Sequence, residues 1–388
     1  MASFDEKSRA MSGSLMDRRA FLRRAAALGV TTTAAGAILA ACGGEDEPAP
    51  VASSLYPETE KPKSLYVFTW QNEIAPENKK GFEAATGIKI VESNYQDNEA
   101  LIAKLKAGSR GYDIIHPTGY AVSILRKSGL LMPLDMGLIP NFKNTVEKFR
   151  KPAFDPEEDG NKYSVPWIWG TAGVAVRTDV LKEFGAQLPD MSSWSMMWSD
   201  VFARRINMLD DLRETLGAAL KLLGYSLNST DQGELDEATQ KLIEQKPLVH
   251  AYDSTNMVRA MVGGTPLVHT WNGDFAKAQA ELGAEKLQWV MPSEGYTIWV
   301  DNACIPVEAP SPYWAHKFID FMCEARNAAD LANYVRYFSP NEAAVPMLDQ
   351  EIVDATPTAE ELERGELMDD LGEFDKEWSA AWTKVKSA

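Results

Sequence analysis

The chain has 388 residues, room for one large or two medium domains, and beyond residue 41 no run apolar enough to cross a bilayer. It carries 56 acidic against 39 basic side chains and a formal charge of −17, a field that repels nucleic acid and attracts cations. Acidity of this kind also serves solubility alone, so charge by itself leaves both readings open.

The N-terminus addresses the chain outward. D-R-R-A-F-L-R at residues 17–23 joins a twin arginine to an apolar stretch at 25–41, the pattern of an export signal. Phe21 and Leu22 after the arginine pair fit the twin-arginine route, while the pair also fits a plain positive segment of the general secretion route. L-A-A-C-G at 39–43 resembles a bacterial lipoprotein cleavage box, which makes Cys42 the expected lipidation site; a conventional cleavage site with an ordinary cysteine is the alternative. Residues 1–41 carry six basic and three acidic side chains, so their removal takes the charge to about −20. Residues 42–63, rich in Glu, Pro, Ala and Ser from 44 onward, are expected to form a flexible tether.

S-L-Y-V-F-T-W at 64–70 predicts a strand, followed by a helix from Pro76 that stops at Gly87 and a second strand at 88–91. A helix over 98–106 places Leu101, Ile102 and Leu105 on one face, and Y-D-I-I at 112–115 predicts a third strand before P-T-G-Y. This β-α-β-α-β order implies a parallel sheet. Such sheets bind ligands at the carboxyl ends of their strands, where Trp70, Thr118 and Tyr120 fall.

A second unit of the same kind is expected after the aromatic stretch Y-S-V-P-W-I-W-G at 163–170, with strands at 173–176, 205–209 and 266–271 and a helix over 211–223. N-G-D follows the strand that ends at Trp271, and T-I-W-V-D-N-A-C-I-P at 297–306 is apolar enough for a buried strand between two α/β lobes. No nucleotide-binding glycine loop of the G-x-x-x-x-G-K-[ST] or G-x-G-x-x-G type is present. Cys304 and Cys323 suit either a disulfide or two buried thiols.

A small organic cation needs carboxylates at its charged ends and aromatic faces along its methylenes, each cation–π contact adding roughly 0.5–2 kcal/mol. Of the eleven tryptophans, Trp70, Trp271 and Trp299 fall where the strand map places a crevice, although tryptophan at a strand end also packs under a lobe. Tyr120 is likewise open to a packing role. Asp211 and Glu214 project from the first turn of the predicted helix, either toward a ligand or as a capping box satisfying free backbone N–H groups. Asp301 lies in an apolar segment, where a lone carboxylate requires a partner from protein or ligand. The four histidines are scattered without zinc-ligand spacing, and no G-x-S-x-G elbow is present, so no metal, cofactor or catalytic residue is expected. Paired carboxylates in an aromatic cleft leave a glycoside hydrolase as the enzyme alternative.

In order along the chain, T-G-I-K-I, A-K-L-K-A-G, Y-D-I-I-H-P, S-V-P-W-I-W-G, L-K-L-L-G-Y-S-L-N-S-T-D, W-N-G and W-V-D-N-A-C-I-P stand between Leu65 and Pro346. In these the chain resembles the periplasmic spermidine/putrescine-binding proteins of polyamine ABC importers. The resemblance implies an α/β periplasmic-binding-protein-like fold of two hinged lobes, residues 64–170 with 299–341 forming one and 171–298 with 342–388 the other. It implies that Trp70, Tyr120, Trp271 and Trp299 wall the ligand, that Asp211, Glu214 and Asp301 pair with its ammonium groups, and that Thr118 and Ser254 supply hydroxyls. The partners implied are a polyamine, an ABC permease and, through the anchor alone, the membrane; a monomer is expected. Where the family commonly has an acid and then Tyr after the first tryptophan, this chain has Asn72 and Glu73, and Met368 stands where spermidine-type proteins carry Gln. A binding protein of similar architecture for a sugar, an amino acid, ferric ion or another organic cation is the alternative; for ferric ion no oxygen-rich cage can be assembled from these residues.

Overall fold

The computed structural model describes residues 54–156 and 161–388. The expected export signal and Cys42 lie outside these residues. The first sheet has the order β2-β1-β3 and is parallel, built from β1 (Ser64–Thr69), β2 (Lys89–Asn94) and β3 (Ile114–Ile115). Leu65 and Val67 are buried on one face and Phe68 on the other, in a different core cluster, while Tyr66 is exposed, so the apolar run at 64–70 is a strand covered on both faces over most of its length. Helix α1 (Pro76–Thr86) has proline in its first turn and ends at Gly87, whose φ of 79° makes a left-handed cap. In α2 (Asn98–Lys106), Asp97 caps the N-terminus by accepting from the Ala100 amide at 2.7 Å, and Leu101, Ile102 and Leu105 are buried. Helix α3 (Gly119–Lys127) follows β3 and includes Tyr120.

The second sheet departs from the expected copy of the first. Its strands are β4 (Val165–Arg177), β5 (Ile206–Met208), β6 (Val249–Tyr252), β7 (Leu267–Trp271), β8 (Leu287–Val290), β9 (Tyr296–Ala303) and β10 (Gly365–Leu367). They run in the order β10-β9-β4-β7-β5-β6, with β8 also on β4. The sheet is mixed: β4 is antiparallel to β7, β8 and β9, whereas β5 is parallel to β6 and β7. The stretch W-I-W-G does not precede the first strand of this unit but forms the first half of β4, thirteen residues that are all buried. A strand buried on both faces shows no alternation, and so its start is not marked in the sequence. Through 165–171 β4 pairs with β9, and from Ala172 onward with β7, joined by β8 from Val174.

Strand β9 also reaches the first sheet. Ile115 and Cys304 exchange backbone bonds of 2.9 Å, and the Asn302 amide donates to the Pro117 carbonyl at 3.0 Å. Helix α4 (Leu212–Leu222) follows β5, α5 (Asn272–Leu282) follows β7, and α6 (Pro312–Met322) and α7 (Ala325–Val335) pack beyond β9. The chain closes with α8 (Asp375–Ser387), whose Trp378 is fully buried against α4.

The last part of the expected tether is docked. Ser54 Oγ and the Leu55 amide donate to Asp135 at 2.7 and 2.9 Å, Tyr56 donates to the Pro133 carbonyl at 2.6 Å, and Trp314 donates to the Thr59 carbonyl at 3.2 Å. Tyr56 and Lys61 supply an aromatic and a cation to His316 and Trp314, which composition alone does not reveal. Cys304 and Cys323 are both free and buried. Among the described residues no helix is long and apolar enough to cross a membrane.

Candidate functional site

A cavity of about 180 Å³ opens where the carboxyl ends of β1, β5 and β7, the start of α3 and the middle of β9 converge. Its first wall is the turn after β1. Trp70 donates from Nε1 to the His116 carbonyl at 3.0 Å and packs against Tyr95 with ring centroids 4.6 Å apart. Asn72 stands exposed at the rim with a φ of 62°, a left-handed conformation that asparagine tolerates better than most residues. That turn swings Glu73 inward to 3% exposure.

Glu73 is held by a short relay. Thr69 Oγ1 lies 2.7 Å from both Glu73 Oε2 and His116 Nδ1. One hydroxyl proton serves one acceptor, so Thr69 donates to the carboxylate and His116 donates from Nδ1–H to Thr69. Burial holds the His116 pKa down to about 3, and the neutral ring cannot act as a counterion although Glu73 is 3.6 Å away. Glu73 Oε1 has no donor in the protein. Burial pushes the Glu73 carboxyl up to about 8.

Asp301 lies beside it on β9. Its Oδ1 accepts from Thr118 Oγ1 at 2.6 Å, and Asn98 in turn donates to that hydroxyl at 3.0 Å. Burial and the neighbouring Glu73 carboxyl hold Asp301 well above the usual carboxylate range. The requirement for a partner is therefore met in part by protein, and among the described residues no lysine or arginine is paired with Asp301.

The opposite wall is the start of α4. Asp211 caps that helix, its Oδ1 accepting from the Arg213 and Glu214 amides at 2.9 and 3.0 Å. Glu214 does not complete a capping box. Its Oε1 accepts from Trp271 Nε1 at 3.0 Å, while Oε2 is buried without a partner. Burial, then the Asp211 charge, push Glu214 up to about 8. Tyr120 donates to Glu99 at 2.9 Å and carries the Arg213 guanidinium over its ring at 4.8 Å.

Aromatic side chains line the space between. Trp271 ends β7, Trp299 lies on β9, and Trp299 meets Tyr337 edge-on with centroids 4.7 Å apart. The W-N-G motif acquires a physical reason here. Asn272 accepts from the Thr171 amide at 3.0 Å, tying α5 to β4, and a Cβ on Gly273 would lie 2.4 Å from the Tyr337 ring. Ser254 borders the cavity with a buried hydroxyl that has no partner, and Met368 closes it at 6% exposure.

All eleven residues singled out as ligand contacts thus border one cavity: Trp70, Asn72, Glu73, Thr118, Tyr120, Asp211, Glu214, Ser254, Trp271, Trp299 and Asp301. Tyr95, Asn98, Tyr337, Asp274 and Lys277 border it too and were not anticipated. Asp274 and Lys277 are spaced three apart after a strand end, a spacing that puts both on one helix face. Tyr337 lies in coil beyond α7 and has no local signal. Among the described residues no cluster of acidic, histidine or cysteine side chains could hold a metal ion.

Bacterial extracellular solute-binding proteins match this chain over residues 79–361. The chain belongs to that family. This solute-binding protein is 32% identical over 330 residues to a spermidine/putrescine-binding periplasmic protein of Salmonella typhimurium, covering 84% of this chain and 92% of the relative. It is 32% identical over 337 residues to a putrescine/cadaverine-binding protein of Pseudomonas aeruginosa, covering 84% and 94%. A solved Listeria monocytogenes chain assigned to a spermidine/putrescine ABC transporter superposes with a TM-score of 0.79 at 33% identity, over 84% of this chain and 99% of that one. The solute-binding protein shares their two-lobed α/β architecture.

Proposed function

We propose that this solute-binding protein is the extracytoplasmic receptor of an ABC importer for polyamines, with spermidine or putrescine as ligand. The observation that carries the reading is a pair of buried carboxylates on opposite walls of one cavity, Glu73 and Glu214, each with one oxygen that no protein donor reaches. Asp301 and Asp211 stand beside them, and Trp70, Trp271, Trp299 and Tyr337 line the intervening space. Buried acceptors without donors are costly. A linear molecule with an ammonium at each end and methylenes between supplies donors to both and apolar surface to the rings.

The ligand is bound without covalent chemistry by closure of two lobes, the closed form docking on a permease. Residues 64–170 with 299–341 form one lobe and 171–298 with 342–388 the other. The change of partner along β4 between Thr171 and Ala172 supports a crossing at that place. The protein acts as a monomer; it is exported by the twin-arginine route and anchored through lipid on Cys42, and the pattern at residues 17–43 supports the export and the anchor.

Calorimetric titration with spermidine, putrescine, an acidic amino acid and a disaccharide in one low-salt buffer tests the assignment. Saturable binding of a polyamine at micromolar Kd or better, about −8 kcal/mol, is expected. Binding of the disaccharide alone, or of nothing, overturns it.

A further inference from the structure

The cavity that collects so many carboxylates also contains an ammonium of its own. Lys277, one turn into α5, borders the same space as Glu73, Glu214 and Asp301. Its Nζ lies 3.7 Å from Asp274 Oδ1 and 5.9 Å from the centre of the Tyr337 ring. Both groups around this nitrogen are of the kind that receives a ligand ammonium: a carboxylate and an aromatic face. Tyr337 also lies among the acids of both walls, its phenol pushed well up by burial first and then by Asp274, Asp301, Glu73 and Glu214.

We propose that Lys277 sets how many positive charges the ligand can carry, by filling with its own ammonium a third cation position formed by Asp274 and Tyr337. The inference rests on the polyamine reading above. Among the described residues neither Glu73 with Asp301 on one wall nor Glu214 with Asp211 on the other forms an ion pair with a lysine or arginine, although the Arg213 charge acts on the second pair, and a diamine satisfies both. A triamine brings a further ammonium into a space where Lys277 already neutralises the nearest carboxylate and repels the newcomer. Removing the lysine charge makes the cavity more negative and frees Asp274 and the Tyr337 ring for a ligand ammonium. A ligand of three charges then gains more than a ligand of two.

The test is the ratio of spermidine to putrescine association constants, measured by calorimetry in the wild-type protein and in Lys277→Met and Lys277→Gln. Both variants are expected to raise the ratio about tenfold or more, and Asp274→Asn to lower it. Putrescine binding by the same samples reports that each variant is folded. A ratio that stays within about threefold of wild type in the lysine variants, or falls, overturns the proposal. Amine binding with an unchanged ratio overturns this inference alone, whereas a wild-type protein that binds neither amine overturns the polyamine reading and this inference with it.

Discussion

Thr118 Oγ1 donates a 2.6 Å hydrogen bond to Asp301 Oδ1 across 183 residues of sequence. The two also face each other as a β-bridge, because β9 runs beside the chain leaving β3. Asp301 is thereby fixed in position but given no counterion, so burial and the neighbouring Glu73 hold its carboxyl well above the usual range. A hydroxyl compensates part of the loss of water around a buried carboxylate and leaves its charge without a counterion.

Replacing Asp301 by Asn keeps the shape and an acceptor for Thr118 while removing the charge. Polyamine affinity is expected to fall by about 2–5 kcal/mol. Because burial already holds Asp301 protonated in the empty protein, the neutral Asn should leave thermal stability unchanged or raise it. Calorimetry and a thermal melt on the same variant check both, and unchanged affinity removes Asp301 from the site.

The raised carboxyls predict a definite pH dependence. Glu73 and Glu214 are pushed from 4.5 to about 8, Glu99 to about 7, and Asp211 and Asp301 upward as well, burial leading in each case. The empty native protein therefore holds protons that the unfolded chain has released. Their contribution to stability is complete below the unfolded value of 4.5 and is lost as pH rises through about 8. The Tm of the empty protein should fall over that window. A cationic ligand prefers the ionised carboxyls, so affinity should rise over the same window and binding should release protons. Titrations in two buffers of different ionisation enthalpy measure that release, and identical heats in both contradict it.

Gly273→Ala tests the close approach at the start of α5. The added Cβ would stand 2.4 Å from Cε1 of Tyr337, so the ring must leave its present place against Trp299 at the cavity wall. Affinity should weaken about tenfold or more, a loss of about 1.4 kcal/mol or more, with the melting transition still cooperative. Wild-type affinity in this variant would show that Tyr337 does not wall the ligand.

Much of this site was legible in the sequence because its residues stand at ends of regular elements. Trp70 follows an apolar, β-rich strand, Thr118 and Asp211 stand where helices begin, and Trp271 closes a strand. Periodicity and capping chemistry mark such ends without knowledge of the fold. The carboxylate at Glu73 was visible as a residue, but its inward turn depends on the left-handed backbone of Asn72. The extent of β4 was hidden because a strand buried on both faces has no alternation. Tyr95, Tyr337 and Lys277 reach the cavity through tertiary packing. The docking of residues 54–63 was hidden for the same reason, since Asp135 and Trp314 lie far along the chain.

The central claim is that the cavity holds a cation at each of two walls. Comparing putrescine with 1-aminobutane, which has the same carbon chain and one ammonium, tests it most directly. The account predicts that the monoamine binds at least about a hundredfold more weakly, a difference of about 2.8 kcal/mol. Equal affinity for the two would contradict it, because the carboxylates of one wall would then contribute nothing to ligand binding.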